Sequence, residues 1–183
     1  MLATEEKRYT VEDYERLEEG APYQLISGDL VMTPSPTPFH QHILYKLILS
    51  LGFFIEREKL GILLPAPLDV YLTENDVYQP DLIFICAEHA REVRKDKLHI
   101  IPDLVVEVLS PSTAYHDFTR KKEIYCACGV TEYWIIDPEQ ETIEIMIKHG
   151  DIYQTESFLR KPAMLESGMF PGFGMKIEDV FAF

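Results

Sequence analysis

The chain has 183 residues, of which 46% are hydrophobic and 26% are charged, and its formal net charge at pH 7 is −14. This composition is typical of a globular protein and excludes a disordered chain, and the length predicts a single domain over residues 1–183. The acidic balance excludes a protein whose whole surface binds nucleic acid, so any contact with DNA has to be local.

The targeting and redox features predict a cytoplasmic protein that makes no contact with a membrane. No stretch reaches the roughly 18 continuous apolar residues that a membrane span needs, and the N-terminal segment contains acids where a secretory signal has a basic and then an apolar stretch. Cys86, Cys126 and Cys128 are odd in number and lack zinc-site spacing, which favours reduced thiols packed as small hydrophobic side chains.

A short helix and a hairpin are predicted first. Thr10 caps the helix, Asp13 completes a box-like arrangement three residues later, and the helix ends near Gly20. The segment YQLISGDLVM is typical of a hairpin that turns at Ser27-Gly28.

A connector, a long helix and a strand follow. Proline stiffens the extended segment TPSPTP, and apolar residues at helical spacing predict a helix over about residues 39–57. GILLPAPLDVYLT then indicates one strand, and ENDVYQ indicates a polar break.

The second half alternates strands with one helix. Strands are predicted over residues 81–86 and 103–109, with the charged segment AEHAREVRKDKLHI between them. A helix capped by Ser112 or Thr113 runs to Cys128 and ends at Gly129. TEYWIIDP is a strand, TIEIMIKHGDIYQTES is a hairpin turning at residues 149–151, and the apolar tail contains one helical turn. The order favours an α/β fold of three layers, with helices around a mixed or largely antiparallel sheet.

Two apolar runs each contain an acid. In DLVVEVLS both alternating faces are apolar, so the strand is covered on both sides and Glu107 has to be paired, protonated or metal-bound. If the two strands pair antiparallel, Asp81 at the start of one run lies near Glu107 at the end of the other. A divalent cation relieves the repulsion between two carboxylates, and oxygen ligands favour Mg²⁺ or Mn²⁺. The alternative is that each acid caps a strand end or pairs with a lysine in solvent.

Lys121 is the third unusual charge. At 100° per residue it lies near the centre of the apolar side of AYHDFTRKKEIYCAC, and Asp117 precedes it by one turn. A nearby cluster of acids explains this position. The alternative is a lysine whose stem packs while its ammonium group reaches water.

Several motifs occur in one order along the chain, namely Pro80-Asp81, Glu107 in EVLSPST, Asp117 and Lys121 before Tyr125, and GVTEYWIIDP. With YQLISGDL and PSPTPFHQHI upstream, they resemble the Uma-type putative restriction endonucleases, a bacterial family formerly of unknown function within the PD-(D/E)XK nuclease-like superfamily. The resemblance covers most of the chain. It implies a restriction-endonuclease-like core in which a mixed, mostly antiparallel sheet is flanked by helices.

The resemblance also implies a function, a magnesium- or manganese-dependent endonuclease that hydrolyses phosphodiester bonds in DNA as a homodimer. Asp81 and Glu107 would hold the metal, with the backbone carbonyl of Val108 as a further ligand. Lys121 would supply the catalytic cation that orients the attacking hydroxide or stabilises the pentavalent state. The superfamily normally has this lysine two residues after the second acid, where this chain has Leu109.

Residues of second rank complete the predicted site. Gln24 occupies a position where the family commonly has Glu, and losing that carboxylate weakens metal binding or leaves one metal site. Asp69, inside the predicted strand PLDVYL, is a further ligand or a surface-facing residue. His40 and His42, at the start of the long helix, are candidates for phosphate contact, but residues two apart do not share a helical face and so do not form a metal pair.

Two other functions stay open from the sequence. The first is a catalytically inactive nuclease fold used for binding or dimerisation, which Gln24 and the acidic surface favour. The second is another two-carboxylate hydrolase, such as a glycosidase, which needs neither the lysine nor a metal.

Overall fold

The computed structural model of the chain describes residues 8–95, 97–110 and 116–183, the last range with side chains from residue 119 onward. In these ranges the helices are α1 (Val11–Tyr14), α2 (Pro38–Leu47), α3 (Phe53–Glu58), α4 (His116–Cys128) and α5 (Ile177–Phe181). The strands are β1 (Tyr23–Ile26), β2 (Asp29–Met32), β3 (Gly61–Pro65), β4 (Val70–Thr73), β5 (Asp76–Tyr78), β6 (Leu82–Cys86), β7 (Leu104–Val108), β8 (Glu132–Asp137), β9 (Thr142–His149), β10 (Ile152–Leu159), β11 (Met164–Leu165) and β12 (Met175–Lys176).

The central sheet has six strands in the order β10-β9-β8-β7-β6-β3. Its neighbours pair antiparallel except β7 and β8, which are parallel. Because two parallel neighbours need a crossover connection, the chain passes through α4 between them. A second sheet, in the order β2-β1-β5-β4, is antiparallel, and β11 pairs with β12. The mixed, mostly antiparallel arrangement confirms the predicted fold class.

The two faces of the central sheet are covered by different elements. Leu104, Val106 and Val108 of β7 pack in a core with residues of α2, α3 and α5. Val105 and the partly buried Leu109 pack on the other side, with residues of α4 and of the four-stranded sheet. This alternation confirms that β7 is covered on both faces, and it places Glu107 on the side of α4.

The helices start largely where the sequence predicted. Thr10 and Asp13 form the expected capping box, and the Thr37 side chain caps a helical run that continues through a π-helical segment, Ile48–Gly52. The first helix ends at Tyr14 and not near Gly20, because the following N–H groups bond three residues back, with Leu17 N to Tyr14 O at 3.0 Å. The predicted caps of α4, Ser112 and Thr113, lie outside the described residues.

The prediction of one strand over GILLPAPLDVYLT was wrong. Its two ends form β3 and β4, which belong to different sheets. Pro65 is the last residue of β3 and Pro67 follows shortly after it, and proline cannot donate to a sheet ladder, so the chain leaves the central sheet there.

The segment ENDVYQ is likewise not a break, since it contains β5. Asp76 is 4% exposed, but its carboxylate accepts bonds from Ser27 N (2.8 Å), Thr73 Oγ1 (2.5 Å) and the Tyr78 hydroxyl (2.7 Å). A buried acid with three donors is compatible with a strand interior, which polarity along the sequence does not reveal.

The hairpins β1–β2 and β9–β10 confirm the two predicted hairpins, and α5 is the helical turn expected in the tail. Within the described parts of the chain, no helix combines the length and apolar character needed to cross a lipid bilayer.

Candidate active site

A cleft of about 370 Å³ opens where β7 ends, beside the start of α2 and the edge of the four-stranded sheet. The predicted site residues that line it are Gln24, His40, Asp81, Glu107, Val108 and Lys121. The structure therefore brings together in one concave surface residues that lie far apart in the chain.

The register of β6 and β7 brings the two acids together. Leu82 is opposite Val106 and Phe84 is opposite Leu104 in an antiparallel pair. Asp81, just before β6, therefore lies beside Glu107, near the end of β7. This is the juxtaposition that the antiparallel interpretation predicted.

Asp81 is held in place by two donors. Its Oδ2 accepts the Val108 N–H at 2.7 Å, and its Oδ1 is 3.1 Å from Nε2 of His40. Because a carboxylate only accepts, Nε2 donates in the second contact. The Asp81 side chain is 18% exposed, so it is oriented by the protein and still reaches the cleft.

Glu107 is more enclosed, with a side chain 13% exposed. Its Oε1 accepts from Nζ of Lys121 at 2.9 Å and from the Tyr125 hydroxyl at 2.8 Å. Burial raises the pKa of Glu107, the Lys121 ammonium lowers it, and the Asp81 charge raises it, with a net increase. A divalent cation between the acids opposes both causes of the increase, since it offsets the lost hydration and the repulsion.

Lys121 and Tyr125 lie one turn apart on α4, which gives both side chains access to Glu107. The Lys121 side chain is 11% exposed, and its Nζ lies 5.8 Å from the centre of the Tyr78 ring. The ammonium group is thus paired beneath the surface rather than extended into water. Tyr125 was not among the residues predicted for the site, although its spacing of four residues from Lys121 places both on one face of the helix.

Gln24 forms part of the cleft wall. It is 8% exposed, its Oε1 accepts the Gln79 N–H at 2.9 Å, and its Nε2 donates to Oγ1 of Thr33 at 3.3 Å. The carboxamide therefore joins two chain segments of the wall.

The other second-rank residues differ in position. Asp69 precedes β4 rather than lying inside a strand, and its Oδ1 accepts from the Tyr14 hydroxyl (3.0 Å) and from Nε2 of Gln79 (2.8 Å). It is not among the described residues that line the cleft. Asp117 belongs to α4, but its side chain lies outside the described part of the structure. His42 contacts the Ala182 carbonyl oxygen at 2.6 Å, so its ring and that of His40 have different partners.

The donor set fits a hard divalent cation. Two adjacent carboxylates at the cleft, one of them with a raised pKa caused partly by the other, provide oxygen ligands and an excess of negative charge. Among the described residues that line the cleft there is no cysteine, and the one histidine, His40, is hydrogen-bonded to Asp81. This chemistry favours magnesium or manganese over zinc.

Comparisons with known proteins identify the family and the fold of the chain. The profile of the family described as "Uma2: Putative restriction endonuclease" matches residues 11–178. No curated protein matches the chain significantly. A crystal structure of a putative nuclease belonging to DUF820 from Anabaena variabilis is similar, with a TM-score of 0.81, 18% sequence identity, and coverage of 94% of this chain and 97% of that one. That likeness shows a shared fold, and the profile match shows that the chain belongs to the Uma2 family of putative restriction endonucleases.

Proposed function

We propose that this protein is a metal-dependent endonuclease that hydrolyses phosphodiester bonds in DNA, built as a single domain. The observation that carries the proposal is the convergence of Asp81, Glu107 and Lys121 in one cleft, with Lys121 Nζ 2.9 Å from Glu107. Two carboxylates and one ammonium group are the side-chain groups that this chemistry uses. The family to which the chain belongs is described as one of putative restriction endonucleases, which also supports the proposal.

Asp81 and Glu107, with the carbonyl oxygen of Val108, would hold one Mg²⁺ or Mn²⁺ ion. When bound, such an ion lowers the pKa of a coordinated water and neutralises charge on the scissile phosphate. The protein supplies the rest. His40 and the Val108 N–H fix the orientation of Asp81, and Tyr125 fixes Glu107.

We assign to Lys121 the stabilisation of the negative charge that develops in the transition state. Its ammonium group already lies at the cleft beside Glu107, so a modest rotation of the side chain directs it to a phosphate oxygen or to the attacking water. A preoriented cation in a site that excludes most water stabilises a transition state more strongly than the same charge in solution. Lys121 on α4 would thus take the role of the lysine that the superfamily normally has two residues after the second acid.

Contact with DNA is proposed to be local. A net charge of −14 repels a polyanion, and phosphate neutralisation supplies most non-specific affinity for DNA. The cation held at the cleft, together with Lys121, is therefore expected to provide much of the attraction.

Nicking of supercoiled plasmid DNA with and without Mg²⁺ or Mn²⁺ tests the proposal. We expect cleavage that requires the cation and that falls by roughly 100-fold or more in Glu107→Gln and in Lys121→Met. Glu123→Gln, an exposed change on α4, serves as the control and keeps the activity. A wild-type protein that binds the cation but leaves every DNA substrate intact contradicts the proposal.

A catalytically inactive binding module is the second candidate. The observation in its favour is Gln24, a neutral residue hydrogen-bonded within the cleft wall at a position where the family resemblance predicts an acid. Calorimetry separates the two functions, because absence of divalent-cation binding favours the inactive module. The contact between Lys121 and Glu107 favours both over a glycosidase, whose mechanism needs no lysine.

We also propose a homodimer in the cytoplasm. Tyr45, Leu49 and Phe53 follow one another every four residues along the helical run and are more than half exposed, which supplies apolar surface for a second copy. The three cysteines are free, as a reducing compartment requires. Sedimentation equilibrium is expected to show a dimer that Phe53→Asp dissociates. Ile152→Asp, a change at another exposed apolar residue, on β10, should leave the dimer intact.

A further inference from the structure

A second group of metal-ligating side chains lies at the opposite end of β6 and β7 from the cleft. The Sγ of Cys86, a ring nitrogen of His89 and a carboxylate oxygen of Asp103 all lie within 4.8 Å of one another. Cys86 ends β6, whereas Asp81 precedes it, so the length of a five-residue strand, about 16 Å at 3.3 Å per residue, separates the two places.

The backbone fixes two of the three residues. The Cys86 N–H donates to Oδ2 of Asp103 at 2.7 Å, and the Asp103 N–H donates to the Phe84 carbonyl oxygen at 2.9 Å. On its other side, the Asp103 carbonyl oxygen accepts the Glu132 N–H at 3.0 Å. The thiol and the carboxylate are therefore attached to adjacent strands whose relative position is set by the sheet.

His89 supplies the third group from a short 3₁₀ helix, His89–Glu92, three residues after Cys86. Its Nδ1 is 3.1 Å from the Asp103 carboxylate, and its side chain is 50% exposed. An exposed ring on a short turn has freedom to adjust, so the cluster combines two fixed ligands with one adaptable ligand.

We propose that Cys86, His89 and Asp103 form a zinc-binding site. Zinc is bound by a thiolate at about 2.3 Å and by imidazole and carboxylate at about 2.0–2.2 Å, which separates tetrahedral ligand atoms by roughly 3–4 Å. The His89 Nδ1 and the Asp103 carboxylate, 3.1 Å apart, are within that range, and the three ligand atoms lie no more than 4.8 Å from one another. A water molecule would complete four ligands. On binding, the thiol proton passes to solvent and the metal–sulfur bond replaces the S–H bond.

The donor chemistry distinguishes this site from the cleft. A thiolate and an imidazole select a borderline-soft ion, whereas the oxygen ligands of the cleft suit a hard one. The proposed zinc site is thus independent of the nuclease proposal. It would tie both ends of the segment 87–102, because Cys86 and His89 lie at its start and Asp103 follows its end. That segment contains Arg91, Arg94, Lys95 and Lys97 together with Glu88, Glu92 and Asp96, so its formal net charge is +1 in a chain whose net charge is −14.

Titration of the purified full-length protein with Co²⁺ tests the site, because cobalt replaces zinc and reports a thiolate ligand by a charge-transfer absorption. We expect this absorption to saturate near one equivalent and to disappear when Zn²⁺ is added. Cys86→Ser should abolish it, and His89→Gln should weaken binding by about tenfold or more. Two controls should retain it, Cys128→Ser, which alters the other partly exposed thiol, and Glu107→Gln, which alters the cleft.

The proposal is overturned if the wild-type protein shows no thiolate–cobalt absorption, or if the absorption persists unchanged in Cys86→Ser. It is equally overturned if Cys128→Ser removes the absorption, since a different thiol would then be the ligand. Circular dichroism of each variant checks the fold. His89→Gln changes a half-exposed side chain, so it remains decisive if Cys86→Ser does not fold, and unaltered cobalt affinity in His89→Gln contradicts the site.

Discussion

In the proposed site, the Glu107 carboxylate would bind either a proton or a divalent cation, and its neighbours set the competition between them. Burial and the Asp81 charge raise the pKa of Glu107, while Lys121 lowers it. A metal ligand has to be deprotonated, so metal affinity falls as the pH decreases through the pKa of that ligand. Lys121 would therefore act on metal binding in two opposite ways, since it favours the ionised form of Glu107 and it repels a second cation.

Lys121→Met separates these two effects. We expect the pKa of Glu107 to rise further, so that divalent-cation binding is weaker than in the wild type at acid pH. Where Glu107 is ionised, removal of the ammonium repulsion makes binding tighter. Calorimetry with Mn²⁺ from mildly acid to mildly alkaline pH measures the affinity at each pH. We expect this affinity to depend more steeply on pH in the variant than in the wild type.

Lys122→Met is the matched control, since it removes a charge from the neighbouring position of α4 and keeps the wild-type profile. Parallel pH profiles for Lys121→Met and the wild type contradict the assigned role of the ion pair.

At the scale of elements, the contact between β3 and β6 leaves no room for a side chain at Gly61. Gly61 is opposite Cys86, and a Cβ atom at Gly61 would lie 2.1 Å from the Ile85 carbonyl oxygen and 2.8 Å from Cys86 Cα. These are backbone atoms of an adjacent strand, so only a shift of one strand relieves the overlap. The strand that carries Cys86 thus depends on a glycine in its neighbour.

Gly61→Ala is therefore expected to lower the free energy of unfolding by about 1–3 kcal/mol, as overpacking of a well-packed interior does. Urea-induced unfolding measures the change. Gly168→Ala, where the added Cβ meets no atom within 4 Å, should change stability by less than about 0.5 kcal/mol. Equal effects of the two changes would show that the close approach of the strands is not responsible.

Some parts of the site could be recognised from the sequence, and others depend on how the helices and strands pack together. Glu107 and Lys121 were recognisable because each is a charge inside an apolar pattern, which is unfavourable without a partner. The split of β3 from β4, the burial of Asp76 and the bond from His40 to Asp81 were not recognisable, because each depends on contacts between distant segments. His40 and Asp81, for example, are 41 residues apart.

At the scale of the whole molecule, an acidic chain with a charge of −14 also buries an acid in its main core. Glu132 on β8 is 3% exposed, and its Oε1 accepts the indole N–H of Trp134 at 2.6 Å. Burial raises the pKa of Glu132 above its ordinary value of 4.5, although the bonds to Ser167 and Trp134 oppose the increase. Its contribution to stability is therefore complete below the unfolded-state pKa and is lost as the pH rises through the folded-state value.

Glu132→Gln keeps an acceptor for Trp134 and removes the ionisation. We expect the variant to exceed the wild type in free energy of unfolding at neutral pH, with the difference vanishing in acid. Fluorescence of the single tryptophan, Trp134, follows unfolding in urea at each pH. Glu139→Gln, an exposed change beyond β8, should show no such trend. A difference that does not depend on pH would refute the linkage to ionisation.

The numbers of residues between contacting partners suggest the order in which the contacts of the proposed active site form as the protein refolds. Glu107 and Lys121 are 14 residues apart, Asp81 and Val108 are 27 apart, and His40 and Asp81 are 41 apart. Closing a shorter loop loses less chain entropy, so we expect the contact between Lys121 and Glu107 to form before the two contacts of Asp81. In that order, Glu107 is already paired with Lys121 when Asp81 approaches. The folding chain therefore does not have to bring two unpaired carboxylates together.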